Sequence, residues 1–179
     1  MSSGSLDPSA RLALRPGAAP RRLALALIAA VSIALIGAAL VVQHVEQIEP
    51  CPFCILQRYA YLCVAVTAAV AAGLGAAGVA GGRLAIALGT LGALAGAAVA
   101  GWQVKLQLFP SEADSCSIRF QQTVNDLLLG RLIPSVFTGT GSCADTDFRL
   151  LGLTLPMWSL LWLIALAVAL ALQLRRPGR

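Results

Sequence analysis

The sequence predicts an all-α membrane protein, a bundle of four transmembrane helices with one short and one long loop on the outer side, the long loop holding a short interfacial helix. Three observations predict it. Hydrophobic residues fill 58% of the 179 positions and charged residues only 12%, with a mean hydropathy of +0.81, whereas soluble domains carry roughly 25% charged residues. Four stretches are apolar over the length of about 20 residues that a spanning helix needs. The basic residues collect at alternate ends of those stretches, as the bias of Lys and Arg toward the cytoplasm predicts.

Taken in order, residues 1–22 are rich in Ala, Pro, Ser and Arg, lack apolar periodicity and read as a flexible cytoplasmic tail. The apolar run 23–42 is longer than the core of a signal peptide, about 7 to 15 residues, and reads as a retained first span. A short outer loop follows at about 43–56, then spans at about 56–79 and 84–104, a long outer loop at 105–154, a fourth span at 155–174 and a short tail at 175–179. The membrane domain is thus 23–174. Arg11, Arg15, Arg21, Arg22, Arg83, Arg175, Arg176 and Arg179 fall on one side, which the bias makes cytoplasmic. Both termini lie there, and both loops lie outside with Glu46, Glu49, Glu112, Asp114, Asp126, Asp145 and Asp147. The net charge of +5 follows from this topology, so nothing in it calls for nucleic acid.

Cysteine placement carries the chemistry. Cys51, Cys54, Cys116 and Cys143 fall in the outer loops and Cys63 within the second span. An even number of thiols on an oxidising side suggests two disulfides. A bridge between Cys116 and Cys143 has a structural reading, since closing a long loop constrains the unfolded chain. Cys51 and Cys54 are harder to read that way: two residues apart, they constrain little, whereas a Cys-x-x-Cys at a helix N-terminus favours a thiolate and supports exchange. Haem attachment needs His after the second thiol, where Ile55 stands. Structural zinc needs two further nearby ligands, and Cys116 and Cys143 lack a knuckle spacing; no metal is expected.

Charged and polar residues near those thiols have two readings each. Arg58, one helical turn after Cys54, either snorkels to the interface or stabilises a thiolate or a reduced acceptor in the membrane. Lys105, three residues after Trp102, reads as snorkelling. Gln103 and Gln107 share a helical face and either offer hydrogen bonds to an acceptor's carbonyl oxygen or mark the water boundary. His44, the one histidine, is either a bonded helix-end residue or a proton handler. Cys63 reads as an inert core thiol, and Gly89, Gly92 and Gly96 as close helix packing. In the long loop, residues 118–136 read as one amphipathic segment on the membrane surface, and the glycine-rich run 138–143 as a mobile arm carrying Cys143. Leu155-Pro156-Met157-Trp158 reads as a helix start at the interface.

Together, Gln43-His44-Val45, Pro50-Cys51-Pro52-Phe53-Cys54 with Arg58, Leu106-Gln107-Leu108-Phe109-Pro110, Cys116, Pro134-Ser135-Val136-Phe137, Gly141-Ser142-Cys143-Ala144 and Leu151-Gly152-Leu153-Thr154-Leu155-Pro156-Met157-Trp158 closely resemble the DsbB family of bacterial inner-membrane quinone reductases. The resemblance runs from about residue 23 to 174. It implies periplasmic loops, cytoplasmic termini and catalytic Cys51, Cys54, Cys116 and Cys143. It further implies a membrane quinone, ubiquinone with menaquinone as the alternative, held with Arg58, Gln107 and His44. The implied partner is a periplasmic DsbA-type thioredoxin-fold oxidase, whose dithiol attacks at Cys116 and whose electrons pass from Cys143 to Cys51 and leave from Cys54. Where some relatives carry a histidine four residues before the glutamine, this chain has Gln103, so that histidine's role does not carry over. A membrane protein with static disulfides, and a family variant serving one specialised oxidase, are the competing readings.

Overall fold

Four long apolar helices form the frame of the protein, seen in a computed structural model that describes residues 18–74, 80–109, 118–144 and 148–175. They are α1 (Ala18–Val45), α2 (Pro52–Gly73), α3 (Ala80–Leu108) and α7 (Leu155–Arg175), and each is long and apolar enough to cross a membrane. Between α3 and α7 the chain forms three short helices, α4 (Ile118–Asn125), α5 (Leu128–Leu132) and α6 (Pro134–Phe137), and a hairpin of β1 (Arg149–Leu150) and β2 (Leu153–Thr154). The expected four-helix, all-α bundle is what the protein adopts.

α2 packs on α1 and α3, and α3 packs on α7. The core between them is built from small and branched apolar side chains, among them Leu25, Val64, Ile86, Ala93, Leu163 and Leu170. Close approach of α3 depends on its glycines: a Cβ on Gly92 would stand 2.9 Å from Cys63 Sγ, and one on Gly89 or Gly96 would collide with Thr67 or Ala60. All three neighbours belong to α2, as expected for small-residue packing in a bilayer.

Four details depart from the sequence expectations. Helix α1 begins at Ala18, five residues before the expected span, and takes in Arg21 and Arg22; residues 1–17 lie outside the described residues. Arg21 Nη2 donates to the Gln173 carbonyl at 2.8 Å, a cation answering the exposed carbonyls at the end of α7. Cys63 is exposed on the outer surface of the bundle, not a core thiol, because its neighbours Val64 and Ala65 take the inward face. The single amphipathic segment expected at 118–136 is broken into α4, α5 and α6, with Pro134 starting the last and removing one backbone donor. The hairpin has no counterpart in the sequence reading: Leu150 pairs with Leu153, and Leu151 and Gly152 turn the chain at φ 54° and 84°, the left-handed pair of a two-residue hairpin turn.

Candidate active site

The site is assembled at the N-terminus of α2. Cys51 is its N-cap, extended at φ −85° and ψ 163°, and Cys51 Sγ accepts from the Cys54 amide at 3.3 Å, the capping role usually taken by a side-chain oxygen. Pro52 fills the first helical position, where a missing N–H costs nothing. The geometry sets the two sulfurs 3.1 Å apart, with the Cys51 thiol donating to Cys54. That bond and then burial push the Cys51 thiol well above the usual range, so Cys51 holds its proton.

Two glutamines close the site from below. Gln103 of α3 is 2% exposed, and its Nε2 donates to Cys51 Sγ at 3.1 Å and Cys54 Sγ at 3.3 Å. Gln57, one turn after Cys54 on α2 and 4% exposed, donates to Gln103 Oε1 at 2.8 Å. Arg58 is also buried: its guanidinium donates to the Val136 carbonyl and to Gln43 Oε1 at 2.7 Å. Arg58 is therefore satisfied inside the protein and does not snorkel, since a buried cation needs hydrogen-bond partners.

Cys143 is disulfide-bonded and buried, and it packs with Cys51 and Leu106 in one apolar cluster. Cys116 lies outside the described residues. The stretch leading to Cys143 is docked, which corrects the expectation of a mobile arm. Gly141 N–H donates to the Pro50 carbonyl at 3.1 Å, and Thr140 Oγ1 donates to Glu49 at 2.9 Å. Asn125 at the end of α4 reads both polar groups of Gly139, accepting its N–H at 3.0 Å and donating to its carbonyl at 3.1 Å, while Gln121 donates to the same carbonyl. A Cβ at Gly139 or Gly141 would run into the backbone of Pro50 or Glu49. The glycines serve close approach of two backbones.

Beside the thiols opens a cavity of about 770 Å³ lined by the second half of α1, by Cys54, Arg58 and Tyr61 of α2, by Gln103 and Gln107 of α3, and by the first turns of α7. Its walls are largely apolar, Leu35, Ala39 and Trp162 among them, with Arg58, Gln57 and Gln103 among its polar groups. Gln107 accepts from Thr154 Oγ1 at 2.8 Å, and Tyr61 OH donates to the Ser159 carbonyl at 3.1 Å. His44 stands apart: it is exposed, its Nδ1 lies 2.7 Å from the Leu40 carbonyl of its own helix, and its neighbour Gln43 lines the cavity instead. Lys105 Nζ sits 4.3 Å from the centre of the Trp102 ring.

The family profile described as "Disulfide bond formation protein DsbB" matches residues 21–173. The chain belongs to the DsbB family. Among its relatives, the disulfide bond formation protein B of Acidovorax sp. strain JS42 is 40% identical over 90% of this chain and 91% of its own length. That of Cupriavidus metallidurans is 39% identical over 84% and 90%. DsbB family membership makes this chain a disulfide-forming membrane oxidoreductase. Within that frame Gln57 and Asn125 are the site residues that sequence reasoning missed, and Gln103, weighed there for an acceptor's carbonyl oxygen, meets the two thiols. Gln57 shares a helical face with Cys54 and Gln103 with Gln107, a usable signal, whereas nothing local marks Asn125.

Proposed function

We propose that the protein reoxidises a periplasmic DsbA-type thioredoxin-fold oxidase by disulfide exchange and passes the electrons to a membrane quinone, ubiquinone in the first instance. The observation that carries this reading is the position of the dithiol where two surroundings meet: Cys51 and Cys54 both pack in the cluster that holds Cys143, and both line the apolar cavity. The cavity suits a lipid-soluble molecule with a polar ring, because apolar walls lead to a few convergent polar groups. Arg58 and Gln107 are the residues that would hold such a ring. The expected contribution of His44 is replaced in this proposal by Gln43, which faces the cavity and is already bonded to Arg58.

The exchange runs through this chain's own sulfurs. A partner thiolate attacks Cys116 of a Cys116–Cys143 disulfide, and Cys143 leaves as a thiolate. Cys143 then attacks Cys51 of the Cys51–Cys54 disulfide, and Cys54 leaves as a thiolate beside the donors of Gln103. The partner's second thiol breaks its bond to Cys116, and Cys116 recaptures Cys143. One disulfide has formed in the partner, and Cys51 and Cys54 hold the two electrons and two protons. A quinone held by Arg58 and Gln107 would supply the acceptor for that pair of electrons and protons. Throughout, Cys51 and Cys143 are shielded from water by Leu106 and Phe53, which favours exchange between them over exchange with outside thiols.

The test is quinone reduction by a reduced thioredoxin-fold oxidase in detergent. Cys54→Ser should abolish turnover while leaving the partner able to form a mixed disulfide with Cys116. Undiminished turnover by that variant would overturn the relay.

A further inference from the structure

Two buried side-chain amides lie against the dithiol, and they are linked to each other by a hydrogen bond. Gln57 Nε2 donates to Gln103 Oε1 at 2.8 Å. With its oxygen so engaged, Gln103 turns its nitrogen to the sulfurs, and Nε2 lies 3.1 Å from Cys51 Sγ and 3.3 Å from Cys54 Sγ. Its oxygen remains within 3.8 Å of the Cys54 thiol, so one amide meets that sulfur in either protonation state. The arrangement is rigid because Gln57 belongs to α2 and Gln103 to α3, two helices locked together by the glycine contacts of Gly89, Gly92 and Gly96.

Besides the Cys51 thiol, which donates to Cys54, Gln103 is the neutral side-chain donor that meets the charge created by exchange among the described residues. Arg58, the nearest cation on α2, spends its guanidinium on the Val136 carbonyl and Gln43. Cys51 keeps its proton while donating a hydrogen bond to Cys54, and it accepts from the Cys54 amide. We propose that Gln103 is a catalytic residue whose amide N–H groups hold the negative charge developing on the sulfurs of Cys51 and Cys54, and that Gln57 is the positioning residue that turns that amide nitrogen toward them. A donor aimed in advance at a developing charge in a dry site lowers the cost of forming it. It also stabilises the reduced form of the pair, which makes the Cys51–Cys54 disulfide a stronger acceptor of electrons from Cys143.

This rests on the reading of Cys51 and Cys54 as a redox pair, and its test needs neither partner nor quinone, so the two can fail separately. In the full chain carrying Cys116→Ser and Cys143→Ser, freed of quinone, the Cys51–Cys54 disulfide is equilibrated with a dithiol buffer and the thiolate is followed by its ultraviolet absorbance at pH 7. Gln103→Met should shift the equilibrium toward the disulfide by about tenfold, the size of one hydrogen bond to a charged group, and should lower the thiolate signal. Gln57→Met should act in the same direction by a smaller factor, although its bond is to Gln103. In the Gln103→Met background it should add nothing, because two residues acting in series are not additive. An unshifted equilibrium in Gln103→Met, or a Gln57→Met effect that persists undiminished in that background, overturns the proposal and leaves the pair as packing.

Discussion

At the scale of single residues, the site is governed by where each polar group finds a partner in an apolar bundle. Cys51 illustrates this: as N-cap it accepts the Cys54 amide, and as donor it serves the Cys54 sulfur, which together with burial holds its proton through the range where an ordinary thiol ionises. The reduced pair should therefore show the absorbance of a single thiolate as pH is raised from 6 to about 9, a free cysteine ionising near 8.5. A second thiolate in that window would contradict the raised Cys51. Arg58 bridges α6 and α1 from its place on α2. Arg58→Met should raise the apparent KM for quinone by about tenfold, the loss of one bond from a charged donor, and an unchanged KM would remove Arg58 from the cavity's chemistry. The cysteines and Arg58 stood out in the sequence because their types are rare in apolar chains. Gln57 and Gln103 did not, since a glutamine near a span end has an ordinary interfacial reading until its partner on another helix is known.

Among the elements, the contrast between two sets of glycines is instructive. Gly89, Gly92 and Gly96 were legible as helix packing, because a run of small residues on one face of a span has few other uses. Gly96→Val should destabilise the bundle by roughly 1–3 kcal/mol through overpacking, seen as a lower thermal midpoint in detergent. Gly139 and Gly141 carry the same composition signal as a flexible linker, yet they are docked on Pro50 and Glu49. What decides between the readings is Asn125, fourteen residues away. Asn125→Ala removes both bonds to Gly139 and should slow partner-driven turnover several-fold, whereas turnover driven by a small dithiol acting directly on Cys51 and Cys54 should hardly change. Equal losses in the two assays would mean that the clamp does not seat Cys143. The short helices α4 to α6 and the hairpin were hidden for a related reason: helices of four to eight residues are too short to be stable alone and take their shape from what they rest on.

For the whole molecule, the helix order α1–α2–α3–α7 leaves α1 and α7 tied at one end by Arg21 and Gln173 and separated by the cavity at the other. The proposed topology puts the Arg83 end of α3 in the cytoplasm. A cysteine placed at Arg83 in a chain lacking its other thiols should thus react with a membrane-impermeant reagent only after the membrane is opened; labelling of intact cells would reverse the orientation.

The sequence by itself determined the four spans, because bilayer thickness acts on local composition, and the placement of Lys and Arg set the expectation of their orientation. Only the tertiary structure decided that Gln57 and Gln103 meet the dithiol, that Gln43 rather than His44 faces the cavity, that Cys63 is exposed beside Gly92 and that the Cys143 segment is clamped. Each of those depends on which face one helix or loop presents to another. That choice is made by packing and hydrogen-bond satisfaction between residues far apart in the chain.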